Sequence, residues 1–551
     1  MSDAHSQALE ALINNFLADY FAFHPPVAGA LGLHAYDGQV MNLQSDAIAA
    51  YIEKLQGYRQ RLDQIDPTGL ERLAAFEYGL LRWQIEAEIW RWSEECEYRR
   101  NPMVYAYDAM VDNYVKRDYA PREERAAALA QHLRQIPATM QVARQNLQPH
   151  VPRVLVEESL TIFAGLITFF KQNLPEALGP LTDPALEQAV WAARDKAVAA
   201  LEGFTCYLRN DLLPAAHDEF AIGAEQFRAM LRYYELVDLP LDQVLAIGEA
   251  DLARNQAEIV RVAAQINPDW SIQQHMQALG RNHPSADQLI DETRALLENL
   301  RSFLIDRDIV TVPSEVRCQV EETPPFARWA FAMMSTAGPF EEHASESFYY
   351  VTLPEPHWSP QDIEGWLTKF DYATLTDVSI HEAYPGHYIH FLHIHNAPSR
   401  LAKVFTAYSH IESWAHYVEQ MMLEQGYGDG DPVLRLAQLA EALTRNCRYV
   451  CAIKMHTQGM TVEEATHFFM QNAYMDEVTA RQEARRGTHD PGYLNYTLGK
   501  LMLLKLLADY RAAHGDTFSL KRFHDEYIGY GAPPIPLLRR LLLPHDDGVL
   551  L

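Results

Sequence analysis

The sequence is poor in cysteine, in positive charge and in long apolar runs. Five cysteines (Cys96, Cys206, Cys318, Cys447 and Cys451) are spread over 551 residues, with no Cys-x-x-Cys pair. That count excludes a disulfide framework and a cysteine zinc knuckle, and it suits buried free thiols in a reducing compartment. Lysine and arginine total 46 against 74 acidic side chains, a formal charge of −28. So acidic a surface repels phosphate backbones and anionic lipid, which sets aside nucleic-acid and membrane-surface roles. No run approaches 18 consecutive apolar residues, so no membrane-spanning helix is expected. The opening MSDAHSQALEALINNFLADY lacks a basic segment, a long apolar core and a small-residue cleavage site. It reads as a first helix, and a cytoplasmic location is the expectation. The absence of a fixed-period repeat argues against a solenoid.

What is present is apolar core, helical periodicity and histidine. Hydrophobic residues make up 48% of the chain, enough for a sizeable core in one large fold or several domains. Leu73, Phe76, Leu80, Trp83, Ala87 and Trp90 follow steps of three and four, the stripe of a core-facing helix. Comparable stripes run through about 6–22, 44–64, 122–146, 154–175, 185–212, 240–265, 285–304, 398–425, 431–457 and 491–513, separated by short Pro, Gly or Asp breaks. Residues 308–360 lose this period and carry Pro313, Pro324, Pro325, Pro339, Pro354, Pro356 and Pro360. Within them Ile309 to Val312 and Phe348 to Leu353 have strand composition. The expectation is a mostly α fold with a small β patch. A break near 305 divides it into 1–304 and 305–551, unless the two helical regions interlock in one domain.

Seven of the 23 histidines fall in the 36 residues from His381 to His416. For His390, His393, His395, His410 and His416 the plain reading is an imidazole with a satisfied hydrogen bond. His381-Glu382 followed by His387, in HEAYPGH, is different. In the zinc-peptidase signature HExxH, two histidines four apart share a helix face and the adjacent glutamate serves as general base. Six residues of ideal helix rotate by about 600°, which leaves His381 and His387 roughly 120° apart. Pro385 has no N–H for the carbonyl of His381, and Gly386 admits unusual backbone angles. A Pro-Gly bulge that absorbs two residues would return His387 to the face of His381. Catalytic zinc takes three protein ligands and a water. Glu412, 25 residues after His387 and inside a helical stretch, is the simplest third ligand; Glu419 and Glu424 compete with it on spacing.

HEAYPGHYIH followed by IESWAHYVEQ resembles the HExxPGHH … EGWAxYxE pair of the bacterial family called domain of unknown function 885. FLADYFAFHPPVAGALGLHAYDG, SFYYVTLPEP, HTQGMTVEEA, EARRGTHDPGYLNYTLGK and FHDEYIGYGAPPIPLL resemble further blocks of that family in order, so the resemblance spans nearly the whole chain. Tyr388 and Ser413 depart from the family pattern, which has histidine and glycine there. The family is similar, distantly, to angiotensin-converting enzyme, thimet-type oligopeptidases and Taq-type carboxypeptidases. The resemblance implies a large interlocked helical fold with a central cleft and the β patch beside the active site. It implies one zinc ion held by His381, His387 and Glu412, with Glu382 as general base.

Tyr493, Tyr496 and Lys500 share one face of a helix by spacing. Likeness to the Tyr-x-x-Tyr pair of angiotensin-converting enzyme implies Tyr496 as oxyanion donor, with Tyr493 or Lys500 touching substrate. Arg486, in the cluster Arg481, Arg485 and Arg486, is the candidate fork for a substrate C-terminal carboxylate. His456 is a candidate for a supporting or oxyanion role. Phe348 to Leu353 could offer a strand edge to an extended peptide. The function expected is a zinc metallopeptidase acting on short peptides, as a carboxypeptidase, dipeptidyl carboxypeptidase or oligopeptidase. Two alternatives stand beside it: a metal-dependent hydrolase of another amide or ester, and an inactive helical binding protein with a vestigial metal site. Retention of Glu382 speaks against the last, because a structural site needs ligands but no general base.

Overall fold

The computed structural model describes residues 2–324, 328, 331–355 and 357–551, with Pro325 and Pro356 of the proline-rich segment outside them. The chain forms two compact units, 1–220 with 337–345, and 221–336 with 346–551. The division falls at 220, not near 305, because the helix Leu289–Arg307 packs on the first strand and on the helix Tyr372–Glu382 of the second unit. The fold is mostly helical with one small sheet, as its periodicity predicts. No helix of the described residues is long and apolar enough to cross a membrane.

The first unit is built from the long helices Ser2–Phe23, Ser45–Leu62, Arg72–Trp90, Arg153–Thr168 and Pro184–Tyr207. The stripe from Phe76 to Trp90 is buried as expected, while Leu73, in the first turn, is exposed. The stripe over 122–146 is two helices, Arg122–Leu133 and Ile136–Asn146, with Pro137 in the first turn of the second, where its missing N–H costs nothing. Glu88 is fully buried and receives four donors. His24 Nε2 at 2.9 Å, Trp92 Nε1 at 3.0 Å and the Tyr51 hydroxyl at 3.2 Å reach one oxygen; Arg91 reaches the other at 2.8 Å. Burial opposes its charge, but Arg91 and His24 hold the carboxyl at about 2. The His-Pro block near the start is therefore a structural anchor.

The segment 337–345 belongs to this unit although its neighbours in sequence do not. His34 bridges Asp37 at 3.1 Å and Glu341 at 2.8 Å, its ring stacked on Tyr119. Gly32, at φ +90°, lies so close that an added Cβ would meet the Glu341 nitrogen at 2.4 Å.

In the second unit the helix Pro432–Thr457 packs along Leu241–Ile266, where Gly248 leaves room for the Tyr449 ring. The helix Asn495–His514 packs along Tyr408–Glu424, closest where Gly499 meets the Ser409 carbonyl. Three strands, β1 (Gln319–Glu322), β2 (Ala332–Ser335) and β3 (Phe348–Val351), lie in the order β1-β3-β2. β3 is parallel to β1 and antiparallel to β2, with Phe348 opposite both Gln319 and Ser335. The aromatic segment from Phe348 is thus the central strand and has no edge to offer; β2 is at the border.

Ile309 to Val312 is not a strand. Side chains take its backbone groups instead: Asp525 accepts the Thr311 N–H at 2.7 Å, while His393 and His524 donate to the Thr311 and Ile309 carbonyls, each at 2.9 Å. The stripe over 398–425 breaks between Val404 and Tyr408, where the Ala407 N–H turns to the Ala532 carbonyl. All five cysteines are free thiols.

Replacing Glu88 with alanine strands its donors in the core. The expected loss is roughly 3–5 kcal/mol of unfolding free energy, read as a lower denaturant midpoint. A loss under about 1 kcal/mol, the range of an exposed pair, contradicts the four-donor assignment.

Candidate metal centre

The helix Tyr372–Glu382 starts at Asp371, whose carboxylate accepts the N–H groups of Ala373 and Thr374. It stops at Glu382, and a new helix, His387–His395, begins at the second histidine. The motif is therefore a break between two helices, not a bulge within one. The Tyr384–Pro385 peptide is cis. The Gly386 N–H donates to the Ile380 carbonyl at 2.9 Å. An added Cβ on Gly386 would sit 1.7 Å from the His381 carbonyl oxygen, so the turn admits only glycine. Trp414 ties the turn to the Glu412 helix by donating from Nε1 to the Pro385 carbonyl at 2.8 Å. The two imidazole centroids end 4.8 Å apart with their planes at 88°.

Glu412 enters from the second turn of Tyr408–Glu424. Its Oε2 lies 3.6 Å from His381 Nε2 and 3.7 Å from His387 Nε2, and it is buried with no hydrogen-bond partner. These separations exceed a hydrogen bond. They approach the roughly 3.4 Å between two ligand atoms on a tetrahedral zinc with bonds of about 2.0–2.1 Å. Ligand atoms of His381, Glu382 and His387 also lie within 4.8 Å of one another, so the cluster could hold a metal ion. The two carboxylates differ in charge. Burial lifts Glu382 to about 7, with Glu412 adding to the rise and the Met334 N–H of β2 opposing it. Burial opposes ionisation of Glu412 too, but His381 and His387 hold it at about 2.

The two histidines also divide. Burial lowers both, yet Glu412 and Glu419 raise His381 to about 10, whereas His387 falls to about 4.

Tyr496 stands beside this cluster. Its ring meets Tyr408 at 5.7 Å and lies under Arg445, Arg448 and Arg486 at 5.9, 5.2 and 5.9 Å. Burial and then Glu412 raise its phenol. Arg486 pairs with Asp490 at 2.9 Å and donates to the Tyr408 hydroxyl at 3.2 Å, while nearby Glu483 is taken by Arg448.

Three other candidates lie elsewhere. Tyr493 is fully buried, its hydroxyl against Gly487 and Met455. Lys500 is buried on the face towards Glu419 and Asp251, and burial lowers it to about 8. His456 spends both nitrogens on backbone, donating from Nε2 to the Gly487 carbonyl and accepting the Ile222 N–H at Nδ1. Tyr493 lies in the short turn Pro491–Leu494 ahead of the helix that carries Tyr496 and Lys500, and packing buries Tyr493, Lys500 and His456 in the core. Among the competing third ligands, Glu419 bonds the far nitrogen of His381 at 2.7 Å, and Glu424 bonds Gln420. His390, His393 and His410 donate to backbone carbonyls. The departures from the family pattern have structural places. Tyr388 donates to the Val316 carbonyl, and Ser413 donates to the His410 carbonyl.

Sequence reasoning missed Glu235 and Arg445. Glu235, from a distant part of the chain, accepts from the Ser409 N–H and hydroxyl and from Asn495. It caps the uncapped start of the Glu412 helix, and Asn495 is the residue beside Tyr496. A carboxylate acting 174 residues away leaves no local pattern.

A family profile described as "Bacterial protein of unknown function (DUF885)" matches residues 25–542, so the chain belongs to that family. No curated protein matches it. Two solved structures share the fold throughout. One is described as a "putative lipoprotein of unknown function" from Shewanella oneidensis, with 23% identity, TM-score 0.82, and coverage of 98% of this chain and 99% of that one. The other, a "putative lipoprotein" from Colwellia psychrerythraea, has 18% identity, TM-score 0.81 and 98% coverage of both. These likenesses establish the fold, and they lend no support to the cytoplasmic expectation.

Metal binding must displace the His381 proton, because a group raised to about 10 is protonated throughout the neutral range. Affinity is expected to rise about tenfold per pH unit between roughly 7.5 and 9, with about one proton released in calorimetry across buffers. A pH-independent affinity contradicts the assignment. Gly386→Ala should abolish tight metal binding in a chain that keeps its helical circular dichroism; undiminished affinity would show that the turn tolerates a side chain.

Proposed function

We propose that this protein is a zinc-dependent peptidase acting on short peptides. The observation that carries the reading is the trio His381 Nε2, His387 Nε2 and Glu412 Oε2, spaced at 3.6 and 3.7 Å around the glutamate, with Glu382 beside them. Two imidazoles and a carboxylate suit zinc among the common divalent ions. His381, His387 and Glu412 would hold the ion. Zinc, when bound, supplies a Lewis acid that makes water nucleophilic at neutral pH and polarises a carbonyl.

Glu382 is the general base. Its carboxyl, lifted by burial to about 7, can take a proton from the attacking water and pass it to the departing amine. The Met334 N–H on β2 orients that carboxylate. Tyr496 donates its O–H to the oxyanion that develops at the scissile carbon. Arg486, a third exposed although bonded to Asp490 and Tyr408, is the cation placed to meet a substrate carboxylate, which favours cleavage near a free C-terminus.

The test is peptide cleavage by the zinc-loaded protein beside Glu382→Gln. Equal zinc in both, with cleavage lowered about 10²- to 10⁴-fold in the variant, is the expected result. Zinc that neither copurifies nor binds on addition rules the reading out. If zinc binds and only non-peptide amides or esters are cleaved, the substrate class is wrong and the base assignment stands.

A further inference from the structure

Glu419 lies seven residues beyond Glu412 on the same helix, two turns on and therefore on nearly the same face. Spacing alone makes it a rival ligand. We infer that it is instead a positioning residue for the His381 imidazole, locked in that role by Arg445 and His416; the inference rests on the metal-centre reading above.

The side chain of Glu419 is fully buried. Its Oε1 accepts from His381 Nδ1 at 2.7 Å and from Arg445 Nη2 at 2.9 Å. Its Oε2 accepts from His416 Nδ1 at 3.0 Å and from Arg445 Nη1 at 3.1 Å. A carboxylate has about four lone-pair sites, and here four donors occupy them. No acceptor capacity remains for a metal, and a rotation of the group would break several charge-assisted bonds at once. The proton of His381 Nδ1 is thereby committed to Glu419. The lone pair left for coordination is on Nε2, the atom that faces Glu412.

Arg445 makes the arrangement possible. A buried carboxylate with no counter-charge is costly, and the bidentate guanidinium, itself buried, supplies that charge while fixing the plane of the carboxylate. His416 fills the remaining site, so that neither oxygen is free to seek another partner. The array acts on one imidazole only. His387 Nδ1 is buried with no partner among the described residues, and that ring is held by packing against Phe391. The first ligand is therefore held by hydrogen bonds and the second by its place at the start of a helix.

Partners of this kind set tautomer, ring orientation and ligand basicity, and their loss typically weakens metal binding 10- to 100-fold. The experiment is cobalt(II) binding by chelator competition, with visible absorption at saturation, for three full-length proteins. They are the parent, Glu419→Gln, and the double variant Glu419→Leu with Arg445→Met. The double variant removes both buried charges together, which proteins often tolerate. Both variants should bind cobalt about 10- to 100-fold more weakly, with altered ligand-field bands, while the double variant keeps the parent's circular dichroism and thermal midpoint. Parent-like affinity and spectrum in a folded double variant overturns the positioning role and leaves the metal-centre reading intact. No cobalt or zinc binding by the parent overturns both.

Discussion

The centre depends on one close approach, Gly386 against the carbonyl of His381. That contact lets the chain stop one helix at Glu382 and start another at His387 within four residues. Had the helix continued, the two imidazoles would diverge by roughly a third of a turn. The break lets each histidine occupy a helix end. His381 comes from the last turn of one helix and His387 from the first residue of the next, with Trp414 pinning the turn to the helix that brings Glu412. Removing the side chain from a single position thus sets the geometry of three others.

Burial then sorts four ionisable groups that lie within a few ångströms of one another. A shared low-dielectric setting penalises every charge, so the outcome for each group depends on its partners. Glu412 has two imidazoles and stays ionised; Glu382 has the neighbouring carboxylate and moves toward neutrality. His381 has two carboxylates and is charged, and His387, with less compensation, is neutral. One carboxyl poised near neutral pH, that of Glu382, follows from placement, with no unusual residue type.

Much of this was legible in advance, for a reason that can be stated. His381, Glu382 and His387 sit within seven residues, and local stereochemistry, a proline and a glycine between them, dictated that they meet. Glu412 was reachable from helix, turn and returning helix. Spacing alone did not place Tyr493 and Lys500, because it tells which residues share a face and not what that face packs against, and nothing local to His456 showed that backbone groups take both its nitrogens. Glu235, Arg445 and the role of Glu419 were hidden because their bonds reach other segments of the chain, and His416, which joins Glu419 within one helix, takes its meaning only from that carboxylate. The β patch was found, but its order was not. Pairing a strand at 319 with one at 348 and another at 332 is a tertiary fact, and Ile309 to Val312 had strand composition without a neighbour to pair with. The α character was plain because periodicity over many turns adds up where single positions do not.

The segment 337–345 is threaded between β2 and β3 yet packs with the first 220 residues, where His34 holds Glu341. Its consequence concerns synthesis. A ribosome that has released residue 220 has not yet made the piece that completes the first unit; that piece emerges more than a hundred residues later, when the larger part of the second unit is still unmade. The amino-terminal helices therefore wait, with Gly32 and its surroundings open, until the chain has passed Ser345. Maturation of the first unit is tied to translation of the second, and a product truncated before residue 337 lacks part of the unit it seems to contain whole.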